Sequence, residues 1–206
     1  MTHSDRVAVR SGTRADTAEM ARVLAAAFAD DDPIEDYLFP EENVRARRAP
    51  RMLRAMITHR FLPVGGAEVA LVDDRIVGVL LWYPVGYRPG GAREFLAGPS
   101  YLAAMGSAVR RGIEVDAAME RAAPAEPHLF HVYLGTEPAV QRTGIGRALY
   151  DSLVDKADRQ GAALCALCKD DNLAYYRAWG TERVGAVRLG DSGPELNVIV
   201  RRPHPV

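Results

Sequence analysis

"HLFHVYLGTEPAVQRTGIGRALY", residues 128–150, changes its hydrophobic period halfway along, and that change decides how the chain is read. The first part is a β-branched and aromatic run, interrupted by Gly135 and stopped at Pro138, which predicts a strand. The second part opens "GIGRALYDSLVDKADRQG", which places Ile145, Leu149, Leu153 and Ala157 on one helical face and stops at Gly161. Between them Gln141, Arg142, Thr143, Gly144, Ile145, Gly146 and Arg147 crowd the helix start. The first turn of a helix leaves several N–H groups without partners and carries partial positive charge. Glycines at 144 and 146 let a ligand approach that backbone closely. The arrangement predicts a phosphate or pyrophosphate as guest. Two familiar phosphate loops do not fit. No Lys-Ser/Thr pair follows the glycines, and the dinucleotide fingerprint would need glycine where Leu149 stands.

Outward from this stretch, the other elements fall on both sides. "RVAVRSG" predicts a short first strand, and Asp16 or Thr17 caps "TAEMARVLAAAF", which has Met20, Val23, Leu24, Ala27 and Phe28 at helical spacing. Residues 30–42, "DDDPIEDYLFPEE", hold seven carboxylates and no basic residue, and are expected to form an acidic loop with an aromatic centre at Tyr37 and Phe39. A helix follows with Leu53, Met56, Ile57 and Phe61 on one face, and Pro50 should open or kink it. "AEVALVDDRIVGVLLWYP" is a hairpin turning at Asp73-Asp74-Arg75. From Gly86 to Pro127 the signals weaken into Ala- and Met-rich helical patterns, expected to cover an acceptor pocket. "AALCALC" is a buried strand, "NLAYYRAW" a short helix, and two strands around Gly190-Asp191-Ser192-Gly193 end the chain. With no internal repeat and no long linker, residues 1–206 form one α/β domain with a mixed, mostly antiparallel sheet flanked by helices.

Bulk properties narrow the function classes. A hydrophobic fraction of 48% and a charged fraction of 26% are ordinary for a globular protein. The net charge of −1 gives no electrostatic case for nucleic acid or an anionic membrane. No apolar run reaches membrane-spanning length, and "MTHSDRVAVRSGTRAD" has no apolar core of a secretory signal, so a cytoplasmic protein is expected. Cys165 and Cys168 stand at C-x-x-C spacing, but no second ligand pair accompanies them and strand alternation sends them to opposite faces. Plain buried thiols and no metal site are expected.

Gln141, Gly144 and Gly146, placed directly after "LGTEP", match [RQ]-x-x-G-x-[GA], and here the sequence resembles the GNAT superfamily of acyl-CoA-dependent N-acyltransferases. A second motif stands at the matching distance. "DNLAYYRAWG" resembles the family's N-x-x-x-Y-x-x-x-G helix, with Asn172, Tyr176 and Gly180 in register and Thr181 where the family usually has Phe. "LAAAFADDDP", "WYP" and "PHLFHVYLGTEPAVQ" are similar to the subgroup that includes puromycin N-acetyltransferase. The strong match covers residues 127–184.

The resemblance implies acetyl-CoA as cofactor, with its pyrophosphate on the 141–147 loop. It also implies a strand "LGT" that bulges and splays from "LCALC" to make a slot for pantetheine, with backbone N–H groups near Leu134 and Thr136 facing the thioester oxygen. Gly135 suits such a bulge. Tyr176 is the implied general acid, since a phenol is protonated at neutral pH yet can serve a thiolate; the plain alternative is a core aromatic. Asn172 would bind the pantetheine arm or cap its helix. Arg142 and Arg147 would touch phosphates or stay solvated.

The general base is not legible. Several relatives carry a glutamate on the strand where this chain has Ala166. By alternation His128 shares a face with Phe130, Val132 and Leu134, and is the better candidate of His128 and His131; a satisfied, partly buried histidine is the plain alternative for each. Water relayed from Glu137 or the acidic loop is a third route. That loop either attracts a cationic amine or is simply solvated. The sequence therefore leads to acetyl transfer from acetyl-CoA to a small-molecule primary amine in a ternary complex, with no nucleic acid or membrane partner and a homodimer compatible with it. The alternatives are a non-catalytic acyl-CoA sensor and acetylation of a protein amine.

Overall fold

The computed structural model describes residues 7–87 and 92–204, the side chains of residues 92–95 excepted. Residues 1–6, part of the stretch inspected for a secretory signal, lie outside the described residues, as do residues 88–91 within the segment 86–127.

Seven strands form one sheet: β1 (Ala8–Ser11), β2 (Ala67–Val72), β3 (Arg75–Tyr83), β4 (His128–Thr136), β5 (Ala163–Cys168), β6 (Glu182–Arg188) and β7 (Glu195–Arg201). Their order is β1-β2-β3-β4-β5-β7-β6, antiparallel throughout except for the parallel pair β4–β5. The helices are α1 (Thr17–Ala27), α2 (Pro33–Leu38), α3 (Glu42–Met56), α4 (Ala92–Met105), α5 (Val109–Ala122), α6 (Ile145–Arg159) and α7 (Leu173–Arg177). This is the mixed, mostly antiparallel α/β sheet expected. Among the described residues no helix is long and apolar enough to cross a membrane.

Each face of the sheet has its own core. Val69, Val79, Leu81, Phe130, Tyr133 and Cys165 point to the face covered by α1, α3, α4 and α5. Leu80, Leu129, Leu164, Ala166 and Cys168 point to the face covered by α6 and α7. The two cysteines diverge as alternation requires, and both are free. Burial pushes the Cys165 thiol up to about 12 and the Cys168 thiol up to about 11, so neither supplies a thiolate nucleophile.

Two expectations are corrected. The acidic stretch is not a loop throughout. Asp32 caps α2 by accepting from the backbone N–H groups of Ile34 and Glu35, and Pro33 occupies the first turn, where its missing N–H costs nothing. Pro50 lies inside α3 rather than opening it. The helix instead continues past Met56 into a π-helical turn, Ile57–Phe61. Packing of Ala49, Met52, Leu53 and Met56 into the core holds the helix together across the hydrogen bond that proline cannot make.

Candidate active site

The parallel pairing of β4 with β5 runs from His128–Ala163 to His131–Ala166 and stops. Beyond it, Tyr133 to Thr136 stay paired with β3 and have no partner on the β5 side among the described residues. The strands therefore part, and the backbone groups of this half of β4 face the opening. On the β3 side the register slips by one between Leu81–Tyr133 and Trp82–His131, leaving Val132 as the extra residue of a bulge.

The bulge corrects two points of the sequence analysis. Val132 and Tyr133 both turn toward the α1/α3/α5 face, while His131 and Leu134 belong with the α6/α7 face. His128 therefore does not share a face with Leu134. It begins β4 half-buried, its Nδ1 2.9 Å from the Glu126 carbonyl, and lines a cleft of about 530 Å³ with Tyr83 and Phe130. Gly135 is not the bulged residue and has no positive φ. A Cβ there would stand 2.9 Å from both Ala27 Cβ and Leu24 Cδ2, so glycine is needed because α1 packs directly onto the strand.

At the open end of β4 the chain turns through Pro138–Val140 into the glycine loop. Gly144 has φ +93° and caps α6 without any side-chain hydrogen bond, so the first amides of a fifteen-residue helix are left free. Nothing lies within 4 Å of where a Cβ on Gly144 would be. The Thr143 hydroxyl donates to the Val140 carbonyl at 2.7 Å, closing the loop on itself, and Arg142 has a left-handed φ of +62°. Gln141, Arg142, Thr143 and Arg147 are exposed, and Ile145 anchors the turn in the core. Arg147 sits 5.7 Å from the Trp179 ring and 3.9 Å from Asp151. Gly146 faces the Tyr175 hydroxyl and the Thr136 methyl group. An open cradle of free amides beside the parted strands fits a pyrophosphate with an extended arm running along Leu134, Gly135 and Thr136.

Tyr176 lies on the α6/α7 face of the opening. Its ring is 5.7 Å from His131 and 5.2 Å from Tyr150. Burial, and then the neighbouring Tyr150, raise its hydroxyl well above the usual phenol range, so it stays protonated. His131 is buried, with neither ring nitrogen hydrogen-bonded among the described residues. Burial lowers it to about 4, which keeps it neutral. Asn172 precedes α7, exposed and making no cap hydrogen bond, so it does not act as a cap.

The other face holds a group that sequence reasoning did not single out. Glu35, on α2, is 1% exposed, and it accepts a hydrogen bond from the Tyr133 hydroxyl at 3.3 Å. Its second oxygen, Oε2, is buried without a partner among the described residues. Burial, then the charge of Asp32, push its carboxyl up to about 8. The segment carrying it is tied across the opening, because Lys169, just past β5, donates to Asp31 Oδ2 at 2.5 Å and to the Asp31 carbonyl at 2.8 Å. In sequence Glu35 was one of seven carboxylates in an acidic run, and only helical phasing of α2 could have marked it as the inward one. Glu137, the other carboxylate considered, is engaged by Arg22 in a two-pronged ion pair at 2.9 Å and 2.9 Å.

A sheet with one parting parallel pair, an uncapped helix start at the open end and ionisable groups on both faces of the gap is an acetyltransferase architecture, and solved structures share it. A Corynebacterium glutamicum structure described as histone acetyltransferase HPA2 and related acetyltransferase aligns with a TM-score of 0.76 at 22% identity, covering 98% of both chains. Drosophila melanogaster polyamine N-acetyltransferase, described as forming N-acetylagmatine, aligns at 0.62 with 16% identity over 95% of this chain and 99% of its own. The Escherichia coli ribosomal-protein-S18-alanine N-acetyltransferase aligns at 0.55 with 12% identity over 97% and 96%. The profile of the Acetyltransferase (GNAT) family matches residues 25–181, and the chain belongs to that family.

Proposed function

We propose that this protein transfers an acetyl group from acetyl-CoA to the primary amine of a small molecule, by direct attack in a ternary complex. The observation that carries the proposal is the pair of groups flanking the parted strands: Glu35, held by Tyr133 on one face, and the protonated Tyr176 on the other. Direct acyl transfer needs this combination. A group must take a proton from the attacking nitrogen, and another must serve the departing sulfur.

The 141–147 loop, with the amides of the first turn of α6, would hold the pyrophosphate. The free backbone of β4 from Leu134 to Thr136 would hold the pantetheine arm and supply N–H donors to the acyl oxygen, a contribution of about 3 kcal/mol where it is preorganised. When bound, acetyl-CoA supplies an acyl carbon activated by its thioester. Glu35, in its carboxylate form, would take the proton that the acceptor amine gives up. The Tyr176 hydroxyl would give its proton to the departing thiolate and recover one from solvent. Neither cysteine is used, because both remain thiols.

A small-molecule acceptor is supported by the half-open cavities beside β4 and by the likeness of "LAAAFADDDP" and "WYP" to the puromycin N-acetyltransferase subgroup. The test is Tyr176→Phe. Turnover should fall on the order of 100-fold with acetyl-CoA affinity unchanged. Unchanged turnover would remove Tyr176 from the mechanism, and binding without any turnover in the native protein would favour a sensor.

A further inference from the structure

Val132, the bulged residue, and Tyr133 beside it line a second cavity, of about 200 Å³, half-open to solvent between α3, α4 and α5. Its walls are mainly apolar. Met52 and Met56 of α3, Met105 of α4 and Met119 of α5 line it, aliphatic side chains make up half of the remainder, and the rings of Tyr101 and Tyr133 stand beside them. Two charged residues reach it, Arg60 and Asp116, and they bind each other through two parallel hydrogen bonds of 2.9 Å and 2.8 Å. Their charges are therefore mutually satisfied. At its mouth Ile113 is 63% exposed, which gives the entrance an apolar rim.

We propose that this cavity is the acceptor pocket and selects primary monoamines with an apolar body, alkyl or arylalkyl, presenting the nitrogen toward Tyr133 and Glu35. The proposal rests on the acetyl-transfer function above and names its substrate class. Its volume exceeds that of an apolar cavity of roughly 150 Å³ known to hold benzene, so one phenyl ring or a short alkyl chain fits. Methionine side chains are flexible and polarizable, and mould to such bodies without demanding one shape. The polar end is set by Tyr133, whose hydroxyl donates to Glu35; Glu35 itself stands behind Tyr133 and lines a neighbouring cavity with Phe28 and Arg45, so it acts on this one through the tyrosine. A polyamine is disfavoured on the same grounds. Its second ammonium would be buried against methionine, with Asp116 already committed to Arg60.

The experiment compares hexylamine and phenethylamine with hexanediamine and agmatine. It measures thiol release with acetyl-CoA, and separately the heat of amine binding without it. Hexylamine should exceed hexanediamine in kcat/KM by more than about tenfold, since even 1.4 kcal/mol of differential burial gives that factor. It should also bind without acetyl-CoA. Ile113→Trp, at an exposed position where folding is not at stake, should raise the KM for phenethylamine and leave acetyl-CoA affinity unchanged. Preference for the diamines, or an Ile113→Trp variant that handles phenethylamine like the native protein, overturns the pocket while the acetyl-transfer function stands. Hexylamine bound but never acetylated, with acetyl-CoA also bound, supports the pocket and overturns the transfer function. If acetyl-CoA does not bind, the transfer function fails, and the heat of hexylamine binding alone decides the pocket.

Discussion

In the proposed mechanism the proton taken from the amine goes to one carboxyl group, that of Glu35. Held at about 8, it is protonated below that value and becomes a base as pH rises through it. The kcat/KM of the native protein should therefore climb through an inflection near 8. Glu35→Gln should lose on the order of 100-fold and lack that inflection; a variant with the native profile would show that the base lies elsewhere. His131 works in the opposite sense. Its folded-state value of about 4 lies below the ordinary 6.5, so between those values the unfolded chain holds the extra proton. Stability that is complete above pH 6.5 is lost as pH falls toward 4, by on the order of 3 kcal/mol for a fully buried imidazole. His131→Phe should flatten this stretch of the curve in chemical denaturation run across pH. An unchanged slope would mean that His131 is protonated or hydrated in the folded protein.

At the scale of elements, the junctions of α1 and α6 with the parted half of β4 are the critical contacts. Gly135→Ala places a methyl group against Ala27 and Leu24 and should cost about 1–3 kcal/mol, read as a lower denaturation midpoint. Gly144→Ala meets open space, yet puts a side chain into a left-handed conformation costing roughly 1–2 kcal/mol. Relief of that strain would turn the cradle amides away, so acetyl-CoA should bind more weakly with little change in global stability. Equal affinity would place the pyrophosphate elsewhere. These contacts also explain what could be read from sequence. The strand–loop–helix at residues 128–150 announces itself through local signals: a period of two, punctuating glycines, then a period of 3.6. The divergence of Cys165 and Cys168 follows from the same local geometry. The bulge at Val132 carries no local signal, because it arises from pairing with β3, and it reverses the face on which everything beyond it lies. That is why alternation put His128 on the face of Leu134, where His131 stands instead. Likewise, Asp32 and Pro33 are recognisable cap residues, but the carboxylate count of the acidic run masked them. Beyond the phasing of α2, what sets Glu35 apart is the contact with Tyr133, made across 98 residues of chain.

Across the whole molecule, the sheet serves as a partition. One face, under α6 and α7, carries the glycine loop and Tyr176; the other, under α1 to α5, carries Glu35 and the methionine-lined cavity. The gap where β4 leaves β5 joins the two sides. Long-range ties keep it in place. Lys169 holds Asp31 across the gap, Arg22 pins Glu137 at the end of β4, and Arg201 grips Asp158 through two hydrogen bonds of 2.8 Å to fasten β7 to α6. Such a partition suits two reactants arriving from opposite sides and meeting at one point. The most direct measurement is mass-spectrometric detection of product from the purified protein, acetyl-CoA and a primary amine such as hexylamine. The account requires N-acetylated amine and free coenzyme A in equal amounts, with no acetyl group retained on the protein. Acetyl-CoA bound but unconsumed across both apolar and polycationic amines, or an acetyl group trapped on the chain itself, would contradict it.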